Sequence, residues 1–326
     1  MRIRIVFIII YMFIFIAALD ASYRSQKESL SGKRDREVFR DRMFARGFSL
    51  TPIDPKIVQQ GGGFEKTNVD TLYFGKGQQA PVWQLAQWYS KYTLAHVTPE
   101  IGRDSSITYK NEGKRLTRYA DGSLMLELIT SKEYDHPRKN GEPWPHILLE
   151  QKFGEQSPAI GQAKELHFSM ELKLVKCENK MNKGTFDGKL HTAQSPFYFV
   201  LEDCNRDSKG YGKFIWFGIP SFDYRYKSAR NEEKVSWDIG TNTYIYNVAE
   251  NTLWGDISFQ DGNWHKAKAD ILPLIRIALK KMQSKGVFTT TTLNDLKITG
   301  MNFGWEIPGT FDAAVCVKNF SLRVVE

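Results

Sequence analysis

The stretch Leu296-Lys-Ile-Thr-Gly-Met-Asn-Phe-Gly-Trp-Glu-Ile-Pro-Gly-Thr-Phe-Asp312, closed by Ala314-Val-Cys-Val-Lys-Asn-Phe-Ser-Leu-Arg-Val324, decides the fold class. Side chains alternate across a strand, so such a run divides into two faces. Met301, Phe303, Trp305 and Ile307 form an apolar set; Asn302, Gly304 and Glu306 oppose them. The chain ends, on this pattern, in two strands of a sheet with one buried face. The second face carries an acid, Glu306, next in sequence to the inward-facing Trp305.

The same division recurs upstream. In Trp144-Pro-His-Ile-Leu-Leu-Glu-Gln-Lys-Phe153, Ile147, Leu149 and Phe153 fall on one side; His146, Leu148, Glu150 and Lys152 fall on the other. Around Leu190, His191 shares a face with Ala193, Ser195 and Phe197, while Thr192, Gln194 and Tyr198 share the opposite one. Asp121-Gly122 between two apolar runs reads as a hairpin turn. Further strand-like runs begin at Val82, Leu166, Phe197, Lys213 and Thr243. Many short strands parted by Gly, Asp and Asn indicate an all-β sandwich or barrel. One helix is expected over 270–286, with Asp270 at its start, Pro273 in its first turn and Gly286 at its end.

The N-terminus bears on the compartment. Arg2 and Arg4 precede the apolar run Ile5 to Leu19, and small residues follow at Ala18 and Ala21. That is the layout of a cleaved signal peptide over 1–21, with a retained anchor as the rival reading. A polar leader is expected over 22–63 and a single sandwich domain over 64–326. The expected destination is secreted, periplasmic or extracellular, with no stable membrane span after cleavage. Lys and Arg number 45 against 37 Asp and Glu, a formal charge of +8. That balance suits an anionic polysaccharide or a cell surface, and equally suits a protein with no charged partner. Nucleic acid is not expected as a partner. Three cysteines permit at most one internal bridge, for which Cys177 and Cys204 form the best pair; Cys316 reads as a small buried hydrophobe. No cofactor is expected and no zinc spacing occurs. The loop Asp203 to Gly210 departs from the calcium-loop pattern, although a structural calcium is left open.

A sheet face rich in Glu, Asn, Gln and Lys can meet sugar hydroxyls, which need groups that donate and accept. Trp83, Trp88, Trp144, Trp216, Trp237, Trp254 and Trp264 are candidate platforms for sugar C–H patches. Glycosidic hydrolysis uses two carboxyl groups. Glu306 is the candidate acid, with Glu150 or Asp223 as partner. A lyase would need a base and a neutraliser of developing negative charge. His191 and Tyr224, with Gln194 and Arg225, are the right types. The ligand-binding set is His146, His191, Gln194, Trp216 and Arg225. A surface or adhesion sandwich without catalysis is the remaining reading.

Two segments carry a family resemblance. Asp121-Gly-Ser-Leu-Met-Leu-Glu-Leu128 resembles an early strand of concanavalin A-like lectin/glucanase jelly rolls. The end of the chain, from the 270–286 helix through Gly304-Trp305-Glu306, is similar to the end of family 12 glycoside hydrolases. That resemblance implies a jelly-roll β-sandwich, a polysaccharide ligand and Glu306 as acid/base. It also implies a nucleophilic Glu ahead of Trp216, where this chain has Gly212 and Lys213. The sequence thus carries half of the family's catalytic pair.

Overall fold

The computed structural model describes residues 35–75 and 79–326, apart from the side chain of Phe64. The expected signal segment 1–21 lies outside the described residues. The protein is an all-β sandwich of the jelly-roll type, built from two large, mainly antiparallel sheets. The first runs β15 (His265–Asp270), β10 (Glu165–Asn179), β17 (Phe311–Val325), β8 (Leu124–Ile129), β7 (Lys114–Arg118), β6 (Ile107–Lys110), β5 (Glu100–Ile101), with β1 (Asp35–Glu37) also paired to β17. The second has nine strands: β13 (Lys234–Asp238), β14 (Thr243–Asn247), β12 (Phe214–Ile219), β11 (Phe197–Asp203), β16 (Leu296–Glu306), β9 (His146–Lys152), β4 (Trp83–Ala86), β2 (Phe48–Leu50), β3 (Asp70–Leu72). Only the β12–β14 and β2–β4 pairings are parallel.

The core follows the alternation. Ile147, Leu149, Phe153, Met301, Phe303, Trp305 and Ile307 are all buried between the sheets. Aromatic rings fill the space: Phe168 lies 4.8 Å from Phe197 and 5.4 Å from Phe199, and Phe303 lies 5.7 Å from Phe320. Trp305 satisfies its indole N–H by donating to the Leu126 carbonyl of the opposite sheet at 3.0 Å. The β7–β8 hairpin turns at Asp121-Gly122, where Gly122 takes a positive φ of 78° that side-chain-bearing residues rarely adopt. The helix spans Leu272–Ser284 and buries Leu272, Ile275, Ala278, Leu279 and Met282. Asp270 accepts the Leu272 amide at 3.0 Å and the Leu166 amide at 2.9 Å, tying the helix start to β10. Among the described residues no helix is long and apolar enough to cross a membrane.

Two expectations are corrected here. The domain begins well before residue 64. Strands β1 and β2 belong to the sheets, and Phe39, Phe44 and Phe48 are core residues. Phe39 and Phe44 pack on Trp83 at 5.9 and 5.2 Å and on Phe320 at 5.8 and 6.1 Å. The polar composition around these rings masked them as a leader, because isolated aromatics without strand periodicity carry no fold signal until a partner surface exists. Cys177 and Cys204 do not pair: all three cysteines are free. Cys177 lies on β10 of one sheet, whereas Cys204 follows β11 of the other, so the sandwich separates segments that a linear reading treats as neighbours.

Two consequences can be measured. Phe320→Ala removes a ring shared by both sheets and should lower stability by about 3–5 kcal/mol, read as a fall in the denaturant midpoint. A chain begun at residue 64 should lose its cooperative unfolding transition, since Trp83 and Phe320 would face water.

Candidate functional site: a polar row across the nine-stranded sheet

The strand registers align one polar face. Reading across paired positions, Thr71, Ser49, Gln84, Glu150, Asn302, Tyr198, Gly218, Asn247 and Lys234 stand in a single row. Residues directly opposite in a ladder point to the same side, so this row lies on the face turned away from the core. Four positions along the strands a second row forms: Asp223, Gln194, Glu306 and His146. Segment 191–195, between the named strands, joins these elements. The Gln194 and Glu306 backbones exchange hydrogen bonds of 3.1 and 3.0 Å.

These rows hold polar atoms that the protein leaves unmatched. Among the described residues, eight buried side-chain polar atoms lack a hydrogen-bond partner. Six of them are Gln84 Oε1, Glu150 Oε2, Asn302 Oδ1, Asn247 Oδ1, His146 Nδ1 and Trp144 Nε1. Buried polar groups in folded proteins are nearly always paired, and each exception calls for an explanation. Five of the six atoms belong to residues of these two rows, on one face of the sheet. Gly218 makes room in the row: a Cβ there would sit 1.9 Å from Asn247 Oδ1 and 2.9 Å from Tyr198 Cε1.

Aromatic rings stand beside both rows. Trp144 and Tyr89 lie 5.6 and 6.0 Å from the His146 ring, with the Arg138 guanidinium 4.7 Å over Trp144. Trp216 lies 5.9 Å from Tyr198 and donates its indole N–H to Thr241 Oγ1 at 2.9 Å. Trp83 and Trp254 are core residues and cannot act as sugar platforms. Trp237 packs at 4.7 Å on Tyr244, and Trp264 sits under Lys318 by the other sheet.

Burial sets the charge state of the acids. It raises Glu150 to about 8, against a small opposing pull from Lys152. It raises Glu306 to about 7; the bond from Gln194 opposes the shift and the negative charge of Asp238 adds to it. His146 falls to about 4 because burial disfavours imidazolium. Burial also pushes Asp223 upward, but bonds and charge from Arg225, with the Thr192 hydroxyl, outweigh it and hold the carboxyl below its ordinary value.

The strand register roots the two candidate glutamates at different positions along the sheet. Glu306 pairs with His146, and Glu150 with Asn302, four positions away. At about 3.3 Å per residue the two acids are rooted roughly 13 Å apart along the sheet. Asp223 lies in the same row as Glu306, but both its oxygens are occupied. Arg225 Nε reaches them at 2.9 and 3.2 Å and Arg225 Nη2 reaches Oδ2 at 2.5 Å, while Thr192 Oγ1 donates at 2.7 Å. The expected lyase set is likewise dispersed. His191 is buried on the opposite face from Gln194, with Nε2 2.8 Å from the Arg138 carbonyl and Nδ1 accepting from the Asp187 amide at 3.0 Å. No ring nitrogen remains for proton abstraction. Tyr224 packs on Phe311 at 4.7 Å. The Asp203 loop is internally satisfied, with Ser208 and Thr291 hydroxyls on Oδ2 at 2.6 Å each. Among the described residues no three His, Cys, Asp or Glu side chains converge as metal ligands. Gln84 and Asn247 were not singled out from the sequence. Each is an ordinary polar residue in a short strand, and only the register with Glu150 and Gly218 brings it into the row.

Comparison with known proteins adds the following. The chain matches no family model and no curated protein. Solved structures similar to it include a cellulase derived from Cel12A of Rhodothermus marinus, at 10% identity over 74% of this chain and 99% of that one, TM-score 0.38. A family 12 xyloglucanase from Bacillus licheniformis has 10% identity over 70% and 97%, TM-score 0.38. A family 11 xylanase from Neocallimastix patriciarum has 7% identity over 74% and 99%, TM-score 0.34. The fold assignment rests on the strand pairing described above.

The raised acids predict a pH dependence of stability. A carboxyl whose folded value exceeds its unfolded value near 4.5 stabilises the fold at low pH, and that contribution is lost as pH rises through the folded value. Stability should therefore fall between pH 4.5 and 8. Glu150→Gln should flatten that fall, with little effect at pH 4 and a gain on the order of 3 kcal/mol at pH 8.5. Chemical denaturation at both pH values measures it, and a parallel fall in the variant would overturn the assignment.

Proposed function

We propose that this protein binds polysaccharide across the outer face of the nine-stranded sheet, as a secreted glycan-handling sandwich. The observation that carries this reading is the row Gln84, Glu150, Asn302, Asn247 of buried, unmatched polar atoms, bordered by Trp144, Tyr89, Tyr198 and Trp216. A sugar chain offers both complements: hydroxyls that donate to amide oxygens, and C–H patches that lie on rings. Near neutral pH Glu150 is mostly protonated and Glu306 is protonated in about half of the molecules, so both can donate to sugar oxygens. A secretory leader over 1–21 is consistent with an extracellular glycan.

Hydrolysis with Glu306 as general acid is the second reading. It is favoured by the rise of Glu306 to about 7, in the range where an acid can both hold and release a proton. It ranks second because Asp223 is engaged by Arg225 and Thr192 and Glu150 is rooted four positions along the sheet from Glu306.

A panel of neutral and uronate polysaccharides, assayed for binding by calorimetry and for released reducing ends, separates the two. Binding to at least one polymer is expected, weakened tenfold or more by Asn302→Ala or Trp216→Ala. No binding across the panel would sink the proposal. Release of reducing ends that Glu306→Gln abolishes would promote the hydrolytic reading; release that this variant leaves unchanged would remove Glu306 from it. Rising ultraviolet absorbance on uronate polymers would restore the lyase reading.

A further inference from the structure

Glu306 does not stand alone in its row. Gln194 donates through Nε2 to Glu306 Oε2 at 3.0 Å, and its Oε1 accepts from Arg225 Nη2 at 3.4 Å. Arg225 is itself clamped on Asp223, which also takes the Arg225 backbone amide at 3.1 Å and the Thr192 hydroxyl. A guanidinium has donors only, so the amide atom facing Arg225 must be oxygen. The other amide atom is then the NH2 group, which requires an acceptor. Glu306 Oε2 must therefore be the bare oxygen of that carboxyl.

We infer that Arg225 is a positioning residue: it fixes the Gln194 amide so that Oε2 of Glu306 is always an acceptor and Oε1 is the oxygen that presents a proton to the glycan. This rests on the polysaccharide-binding reading for its ligand, but the orientation itself is a property of the free protein. Without the relay the Gln194 amide could turn over, and the Glu306 proton would be spent on the amide oxygen instead of facing outward. The chain Thr192, Asp223, Arg225, Gln194 and Glu306 thus converts a largely buried ion pair into the handedness of one carboxyl group. The other titratable groups facing Glu306 are His146 across β9, Tyr198 on β11 and Asp238 at the end of β13. His146 is neutral above about 4 and Tyr198 stays protonated well above its ordinary value, so neither changes charge near pH 7.

The test is a titration of the free protein by NMR from pH 5 to 9. The Gln194 side-chain NH2 resonances are assigned by their loss in Gln194→Leu, and the Glu306 carboxyl carbon by its loss in Glu306→Gln. The NH2 resonances should move with the Glu306 midpoint. Arg225→Lys keeps a cation on Asp223 but lacks the second arm of the fork. It should raise the Glu306 midpoint by about half a unit or more, roughly threefold in proton affinity, because the Gln194 donor is no longer held in place. Should that variant be unstable, Asp223→Asn combined with Arg225→Gln removes both charges together and should raise the midpoint likewise. NH2 resonances that ignore the Glu306 titration, or a midpoint unmoved in the variant, would overturn the relay. A relay that behaves as expected in a protein that binds no polysaccharide would overturn the binding reading alone.

Discussion

The indole of Trp305 is the interaction on which the site depends. Its ring is fully buried in the core, and its N–H crosses to the Leu126 carbonyl of the facing sheet. That bond fixes which way β16 faces, because a strand with Trp305 inward must turn Asn302 and Glu306 outward. A slip of one residue would exchange the two sets. The central strand of the nine-stranded sheet is thereby locked, and β11 and β9 take their registers from it.

From that register the polar row follows with no further specification. Glu150 and Tyr198 are held opposite Asn302, Gln84 opposite Glu150, and Asn247 leans over the bare backbone of Gly218. Gln84, Glu150, Asn302 and Asn247 each leave a buried polar atom without a protein partner, at a cost that a merely structural sheet would avoid. The face keeps these groups in place of a simple solvated surface. Burial then removes most of the charge of Glu150 and about half that of Glu306 near neutral pH, which suits the proposed donation to sugar oxygens better than electrostatic attraction.

The acids differ in what surrounds them. Asp223 is spent on Arg225 and Thr192, whereas Glu306 is bound through Oε2 to Gln194. On the binding reading proposed above, that contrast separates a positioning carboxylate from a ligand-facing one, although both stand in one row.

The period-two pattern in 296–307 and 146–153 determined, by itself, the strand class, the buried set and the outward direction of Glu306 and Glu150. Side-chain alternation is a local property of extended backbone, so it is legible one strand at a time. The helix over 272–284 was legible for the same kind of reason, its apolar residues recurring on one helical face. Tertiary structure alone decided the rest. It brought Phe39, Phe44 and Phe48 onto Trp83, kept Cys177 and Cys204 in different sheets, and closed both nitrogens of His191. It rooted Glu150 four positions from Glu306 and lined up Gln84, Asn302, Tyr198 and Asn247. These outcomes depend on which strands pair and in what register, and that choice is made by the packing of the whole core.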